Sequence, residues 1–327
     1  MWDVSVQLQF PCGVGRFRVS QIRGRRAHPA LSSPGTRSAD SVFLKPGRPL
    51  LSSGPLTLTS PNAHSPVAKL VVPGGNGFIG SEICRVAVQN GHDVAAFGRT
   101  GRPALTPARH PWMQEVEWRA ADVFAPDTWR DLLDGADAVV HSIATIREAP
   151  ERNITFDRVN AESVLVAANE AVDAGISAFV FLSVRDKPPL VPYSFLSAKR
   201  RADRALQEDY PALRTVSLRP NLVYGARHPG TSTLAAVLVQ AQRARLHPYA
   251  CPEGRPLPVE FVAAAAVQSA VTESVEGILS VPQIEDVGRT CGLVNPEDAS
   301  QPTALPLLVG LGGTTVAGWL LQKWWSR

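Results

Sequence analysis

The segment Gly74-Gly75-Asn76-Gly77-Phe78-Ile79-Gly80 holds the residues whose types and spacing most directly specify a chemistry. It follows the apolar run Val67–Val72 and precedes a helical pattern from Ser81 to Asn90. A helix opening leaves backbone N–H groups unpaired and carries partial positive charge. A diphosphate placed there meets both, and only residues without a side chain leave room for its approach. Set between strand and helix, the pattern points to a dinucleotide site more than to a merely structural turn. Gly74, Gly77, Phe78, Ile79 and Gly80 are its expected cofactor-binding residues. Arg99 lies 19 residues beyond Gly80 at the end of a second apolar run, His92–Phe97. An acid there would suit the ribose of NAD; an arginine suits the extra phosphate of NADP. NADP(H) is therefore the expected cofactor. NAD(H) stays open, since a solvated arginine closing a turn is the alternative.

Elements able to position this loop alternate along residues 67–290. Strand patterns fall at 67–72, 92–97, 118–121, 138–142, 178–183 and 215–219, and a late one lies within 256–262. Helical patterns fall at 81–90, 128–133, 160–174, 196–208 and 263–271. Continuous apolar strands joined by helices predict an α/β fold: a Rossmann-type, doubly wound parallel sheet covered on both faces, with a small C-terminal substrate-side region.

The flanks differ in composition. Residues 1–66 carry eight basic and two acidic side chains and eight prolines. Such a stretch buries little apolar surface; its composition is that of a transit peptide or a disordered tail. Removing its net +6 from the total of +4 leaves −2 for the remainder, so no basic face for nucleic acid is expected. The four cysteines, Cys12, Cys84, Cys251 and Cys291, form no close pair, which argues against a metal site. Residues 291–302 read as a linker. Thr303–Gln322 is uncharged and long enough for a bilayer, with Trp324 and Trp325 beyond it. Its glycines and Pro306 weaken a span, so a membrane contact or a packed terminal helix are the alternatives.

Further motifs follow in order: Arg99-Thr100-Gly101-Arg102, Ala121-Asp122-Val123, Val140-His141-Ser142-Ile143-Ala144, Val159-Asn160-Ala161-Glu162, Phe181-Leu182-Ser183, Lys199-Arg200-Arg201-Ala202-Asp203 and Leu218–Gly225. Together with the glycine loop they resemble an atypical, extended short-chain dehydrogenase/reductase. The likeness is strongest to a mitochondrial branch linked with ubiquinone biosynthesis and with respiratory complex I. The resemblance implies that Asp122 binds adenine, that His141 and Ser142 line the nicotinamide-side ribose, and that Ser183 is the catalytic serine. It implies that Lys199 binds the ribose and assists catalysis. Each has a plain alternative: a turn aspartate, a satisfied core histidine, a strand-ending serine, a solvent-facing lysine. Asn160 is a site or helix-capping residue.

One departure matters. Active members carry Tyr-x-x-x-Lys, where the lysine lowers the tyrosine pKa. Here Phe195 stands four residues before Lys199, and a phenyl ring has no proton to transfer. Tyr193 is the substitute candidate, but it lies about 120° around a regular helix from Lys199. It could serve only if the helix began after it. Two functions remain open. One is an NADP(H)-dependent oxidoreductase acting on a carbonyl or quinone-like substrate. The other is a catalytically inactive cofactor-binding scaffold or redox sensor in a membrane complex. The resemblance favours a mitochondrion over a plastid; a bacterial source would place the domain at the cytoplasmic face of a membrane.

Overall fold

Val71 faces one side of its strand while Leu70 and Val72 face the other, and all three are fully buried. That alternation, apolar on both faces, is what the interior strand of a helix-covered sheet requires. The structure, a computed structural model, describes residues 67–187, 191–243 and 252–302, and a two-stranded pairing of Gln9–Phe10 with Gly13–Val14. Tyr193–Glu208 and the other helices pack around a seven-stranded sheet. Its strands are β1 (Lys69–Pro73), β2 (Asp93–Gly98), β3 (Val116–Ala120), β4 (Ala138–His141), β5 (Ala178–Leu182) and β6 (Arg214–Leu218), then, after a separate pair, β9 (Gly277–Leu279). The pair is β7 (Val223–Tyr224) with β8 (Leu257–Pro258), also parallel.

In the main sheet the order is β9-β6-β5-β4-β1-β2-β3 and every pairing is parallel. The chain runs outward from β1 to the β3 edge, then returns past β1 to β4. That reversal opens a crevice at the strand ends, where dinucleotides bind in doubly wound sheets. One face is covered by α1 (Phe78–Gln89), α5 (Val259–Val271) and α6 (Val281–Thr290). The four consecutive alanines Ala263–Ala266 are fully buried, so α5 sits close to both the sheet and α1. The other face is covered by α2 (Ser163–Asp173) and α3 (Tyr193–Glu208). Beyond β7 lies α4 (Pro229–Arg243), which with β7 and β8 forms a small region C-terminal to the sixth strand of the main sheet.

Several boundaries differ from those the sequence suggests. Helix α1 starts at Phe78, not Ser81, placing Phe78, Ile79 and Gly80 in its first turn. Residues 128–133 form no α-helix but two 3-10 turns, Pro126–Thr128 and Arg130–Leu133; the stretch is too short to repay helix nucleation before Gly135. The late strand is only Leu257–Pro258, because Pro258 has no N–H for a ladder and caps α5 instead. A π turn, Arg158–Glu162, leads into α2. Residues 291–302 are not a free linker: Val294 and Ala299 are buried, and Asn90 Nδ2 donates to the Leu293 carbonyl at 3.0 Å. Residues 1–66, apart from that short strand pairing, and Thr303–Gln322 lie outside the described residues. Among the described residues no helix is long and apolar enough to cross a membrane.

Trp129 is fully buried, stacks on Phe97 at 4.6 Å between centroids and donates from Nε1 to the Val123 carbonyl. Trp129→Ala is expected to lower unfolding free energy by about 3–5 kcal/mol, measured by urea denaturation. A change below about 1 kcal/mol would show that this side of the sheet does not depend on it.

Candidate functional site

At Gly74 the backbone adopts φ +82, a left-handed conformation that side chains disfavour. A Cβ there would lie 2.8 Å from the Ile143 nitrogen and 2.9 Å from the Ser142 carbonyl carbon. A Cβ on Gly80 would lie 2.2 Å from the Gly74 oxygen and 2.5 Å from Ser142 Oγ. Glycines at both positions therefore let the loop, the first turn of α1 and the end of β4 touch. Ser142 Oγ donates to the Pro73 carbonyl at 2.9 Å and so ties β4 to the loop. Gly77 is different. Its φ of −76 suits any residue, and an added Cβ would meet only the Gly74 oxygen, at 3.2 Å. No side chain caps α1, so its first N–H groups have no side-chain partner, and a larger residue at Gly77 would project into the space beside them. These features fit a diphosphate. Asn76 Nδ2 donates to Thr100 Oγ1 at 2.7 Å, fastening the loop to the end of β2. Arg99 is exposed there and has no partner among the described residues. Asp122 is also exposed; its Oδ1 accepts from the Phe124 N–H at 3.1 Å, the local bond of a turn aspartate.

The opposite wall holds a buried polar layer. Lys199 is 2% exposed, so it is not the solvent-facing lysine of the alternative reading. Its Nζ donates to the Leu182 carbonyl at 2.8 Å and lies 4.6 Å from the centre of the Phe181 ring. Burial pushes its pKa down to about 8, against the opposing pull of Asp203. His141 was expected at the ribose, but it lies fully buried between Phe179, Phe181 and α2. Ser163 Oγ donates to the Val159 carbonyl at 2.7 Å and can accept from His141 Nε2 at 3.3 Å. Nδ1 has no partner among the described residues. Burial, helped by nearby Lys199, pushes the imidazole pKa down to about 3, so the ring is neutral. Strand β4 is enclosed on both faces, which is why the side chain turns inward.

Ser183 Oγ donates to Asp203 Oδ2 at 2.9 Å. The same oxygen accepts from Arg219 Nε at 2.9 Å and Arg200 Nη1 at 3.1 Å. Asp203 is 1% exposed and is the hub of this group. Sequence reasoning did not assign it a role, although its spacing of four from Lys199 places both on one face of α3. Phe195, on that face too, is 4% exposed and packs edge-to-face on Phe156 at 5.8 Å. Tyr193 is 68% exposed and is the first residue of α3. The helix does not begin after it, so the structure does not bring it to Lys199. Asn160 is fully buried; its side chain accepts from the Thr145 N–H at 2.8 Å and donates to the Thr145 carbonyl at 2.9 Å, clamping the loop after β4. The structure thus gathers the glycines, Phe78, Ile79 and Ser142 at one mouth, with Arg99 and Asp122 on its outer rim. Ser183, Lys199 and His141 sit beneath the surface and Tyr193 lies outside.

The sequence profile described as "NAD dependent epimerase/dehydratase family" matches residues 70–256. An uncharacterized chloroplastic protein of Arabidopsis thaliana is 36% identical over 162 residues, 49% of this chain and 52% of that protein. MIOREX complex component 2 of Saccharomyces cerevisiae is 28% identical over 203 residues, 48% of this chain and 73% of that protein. The 2-alkyl-3-oxoalkanoate reductase of Stenotrophomonas maltophilia is 30% identical over 199 residues, 54% of this chain and 56% of that enzyme. The matched region thus spans about half of the plant and bacterial relatives.

Two outcomes are expected. Gly77→Val is expected to keep the fold, because φ −76 suits any residue and the Gly74 carbonyl, 3.2 Å from the added Cβ, need shift only by a few tenths of an ångström, but to weaken NADPH and NADH binding at least tenfold, about 1.4 kcal/mol, by calorimetry. Unchanged affinity would remove the diphosphate from this loop. Second, the folded pKa of His141 is about 3 and the unfolded one near 6.5. As pH falls, the unfolded chain takes the proton first. The contribution of His141 to stability is intact above about pH 6.5 and is lost toward about pH 3. The urea midpoint of His141→Gln should fall less steeply than that of the parent between about pH 6 and 4. Parallel slopes would contradict the burial of a neutral ring.

Proposed function

Since the chain belongs to the NAD dependent epimerase/dehydratase family, we propose that it is an NADP(H)-binding component of an organellar membrane complex, with the tyrosine-driven proton step disabled. It is an NAD(P)-binding, oxidoreductase-like protein of the short-chain dehydrogenase/reductase kind. The observation that carries the finer reading is Phe195. It is packed against Phe156 at the helix position where the active relatives' tyrosine would stand. Ser183 supports it, because its hydroxyl proton is given to Asp203.

The cofactor's place is the loop: the amides opening α1 hold the diphosphate, and Arg99 meets the extra phosphate of NADP. When bound, nicotinamide supplies or accepts a hydride. Lys199, whose Nζ already donates to the Leu182 carbonyl, would have its remaining N–H groups to offer the ribose. The yeast relative's name as a complex component supports a protein partner. The chloroplastic relative and the Arg-rich, acid-poor residues 1–66 support an organelle; the family resemblance puts a mitochondrion before a plastid. The membrane part of the reading rests on the uncharged run Thr303–Gln322.

A second reading, an oxidoreductase acting on a carbonyl or quinone-type lipid-soluble compound, is favoured by one observation. Lys199 is retained with a pKa of about 8, within reach of proton transfer near neutral pH. Ser183 would have to leave Asp203 to hold a substrate oxygen, and water or a substrate group would carry the proton.

Native mass spectrometry and NADPH oxidation with a carbonyl and quinone panel separate the two. The expected result is bound NADP(H), about tenfold tighter than NAD(H), with Arg99→Asp abolishing that preference. Turnover is expected at least a hundredfold below the enzyme median of about 10 per second. Turnover near that median in the parent protein, unchanged by Phe195→Tyr, would overturn the scaffold reading in favour of the second.

A further inference from the structure

A tight turn over residues 98–101 closes β2. The Gly98 carbonyl accepts from the Gly101 N–H at 2.9 Å and from the Ala121 N–H, just past the end of β3, at 3.1 Å. Gly101 takes φ +72, a conformation that suits glycine. Arg99 and Thr100 are thereby held at the two central positions of the turn, and both are exposed. Arg102 is exposed one residue beyond. Neither Arg99 nor Arg102 has a partner among the described residues.

Asn76 reaches this turn from the glycine loop. Its Nδ2 donates to Thr100 Oγ1 at 2.7 Å. The rest of its amide fills the space beside Gly98, where an added Cβ would lie 2.2 Å from Asn76 Oδ1 and 2.8 Å from Asn76 Cγ. A side chain at position 98 and the Asn76 amide therefore compete for one place. With the amide there, the polar side chains of the turn are those of Arg99 and Thr100, followed by Arg102. The other charged groups of the β3 side are engaged: Arg119 pairs with Glu117 and Asp131, and Asp122 Oδ1 accepts from the Phe124 N–H.

A hydroxyl is both donor and acceptor. Thr100 already takes the Asn76 N–H on its oxygen, so its own proton points elsewhere and needs an acceptor. The two guanidinium groups beside it only donate. This set offers no carboxylate to a ribose hydroxyl. A phosphate only accepts, and it takes charge-assisted hydrogen bonds from each of these groups.

We propose that Asn76 sets the preference for a cofactor with a 2′-phosphate. It occupies the space beside Gly98 and turns the Thr100 hydroxyl into a donor for the phosphate that Arg99 meets. The inference deepens the NADP(H) reading above and rests on it. Asn76 acts through Thr100 and is a positioning residue.

The test measures NADPH and NADH affinity by calorimetry in the full-length protein, in Asn76→Ala, in Thr100→Val and in the double variant. NADH affinity reports an intact cradle and is expected to change less than about twofold throughout. NADPH affinity is expected to fall about fivefold in Asn76→Ala and about tenfold in Thr100→Val, the loss of a hydrogen bond to a charged group. The double variant should lose no more than Thr100→Val, because an amide has nothing to orient once the hydroxyl is gone. A parent protein that binds neither cofactor, or both equally, would overturn the NADP(H) reading and this inference with it. A parent that prefers NADPH and keeps the same ratio in Asn76→Ala would overturn the inference alone. So would equal losses for both cofactors, or losses that add in the double variant.

Discussion

Where the first helix meets the ends of β1 and β4, there is no room for one additional carbon atom. The Gly80 position lies against the Gly74 carbonyl and Ser142 Oγ, and the Gly74 position lies against the backbone of Ser142 and Ile143. This close approach fixes where α1 begins, and hence where its unpaired N–H groups point. It also joins β4 to β1 across the reversal of the sheet, through the bond from Ser142 to the Pro73 carbonyl. The crevice, the cradle at Gly77 and the position of Arg99 on the rim follow from it. Larger side chains there would push the helix off the sheet, because packed interiors do not yield smoothly.

On the far side of the crevice the molecule keeps an unusual set of buried polar groups. Lys199 and Asp203 share one face of α3, with Ser183 and Arg219 brought to Asp203 from the ends of β5 and β6. Removing one partner from such a group is costly, because the others are left unpaired in a medium poor in water. The arrangement holds the strand ends and α3 in a single register. It also points Ser183 toward Asp203. Phe195 extends the same helix face with an apolar ring and joins the cluster around Phe156 and Val191. A position that serves proton transfer in active short-chain dehydrogenases is therefore committed to packing in this chain.

Much of the architecture was legible in the sequence because it follows from local rules. The continuous apolar strands demanded a sheet covered on both faces, and six of them appeared within a residue or two of the expected place. Glycine spacing between a strand and a helix marked the tight turn that the structure builds between β1 and α1. The failures have physical causes. The 128–133 segment has an apolar pattern that 3-10 turns satisfy as well as a helix does. The stretch before α5 reads as a strand until Pro258 removes its ladder donor. Residues 291–302 look polar enough for a linker, yet Val294 finds a place against the first core face.

Residue types and their order determined the fold class, the glycine cradle and the absence of a tyrosine four residues before Lys199. Those properties depend on backbone periodicity, side-chain size and the presence or absence of a titratable proton, all of which are written along the chain. Side-chain direction was decided only by the tertiary structure. It turned His141 into the core, gave Ser183 to Asp203 and left Tyr193 in solvent. Such choices arise from contacts between segments tens of residues apart. A strand end facing a crevice and one facing a covering helix carry the same local pattern, so the neighbours have to be in place before the direction is set.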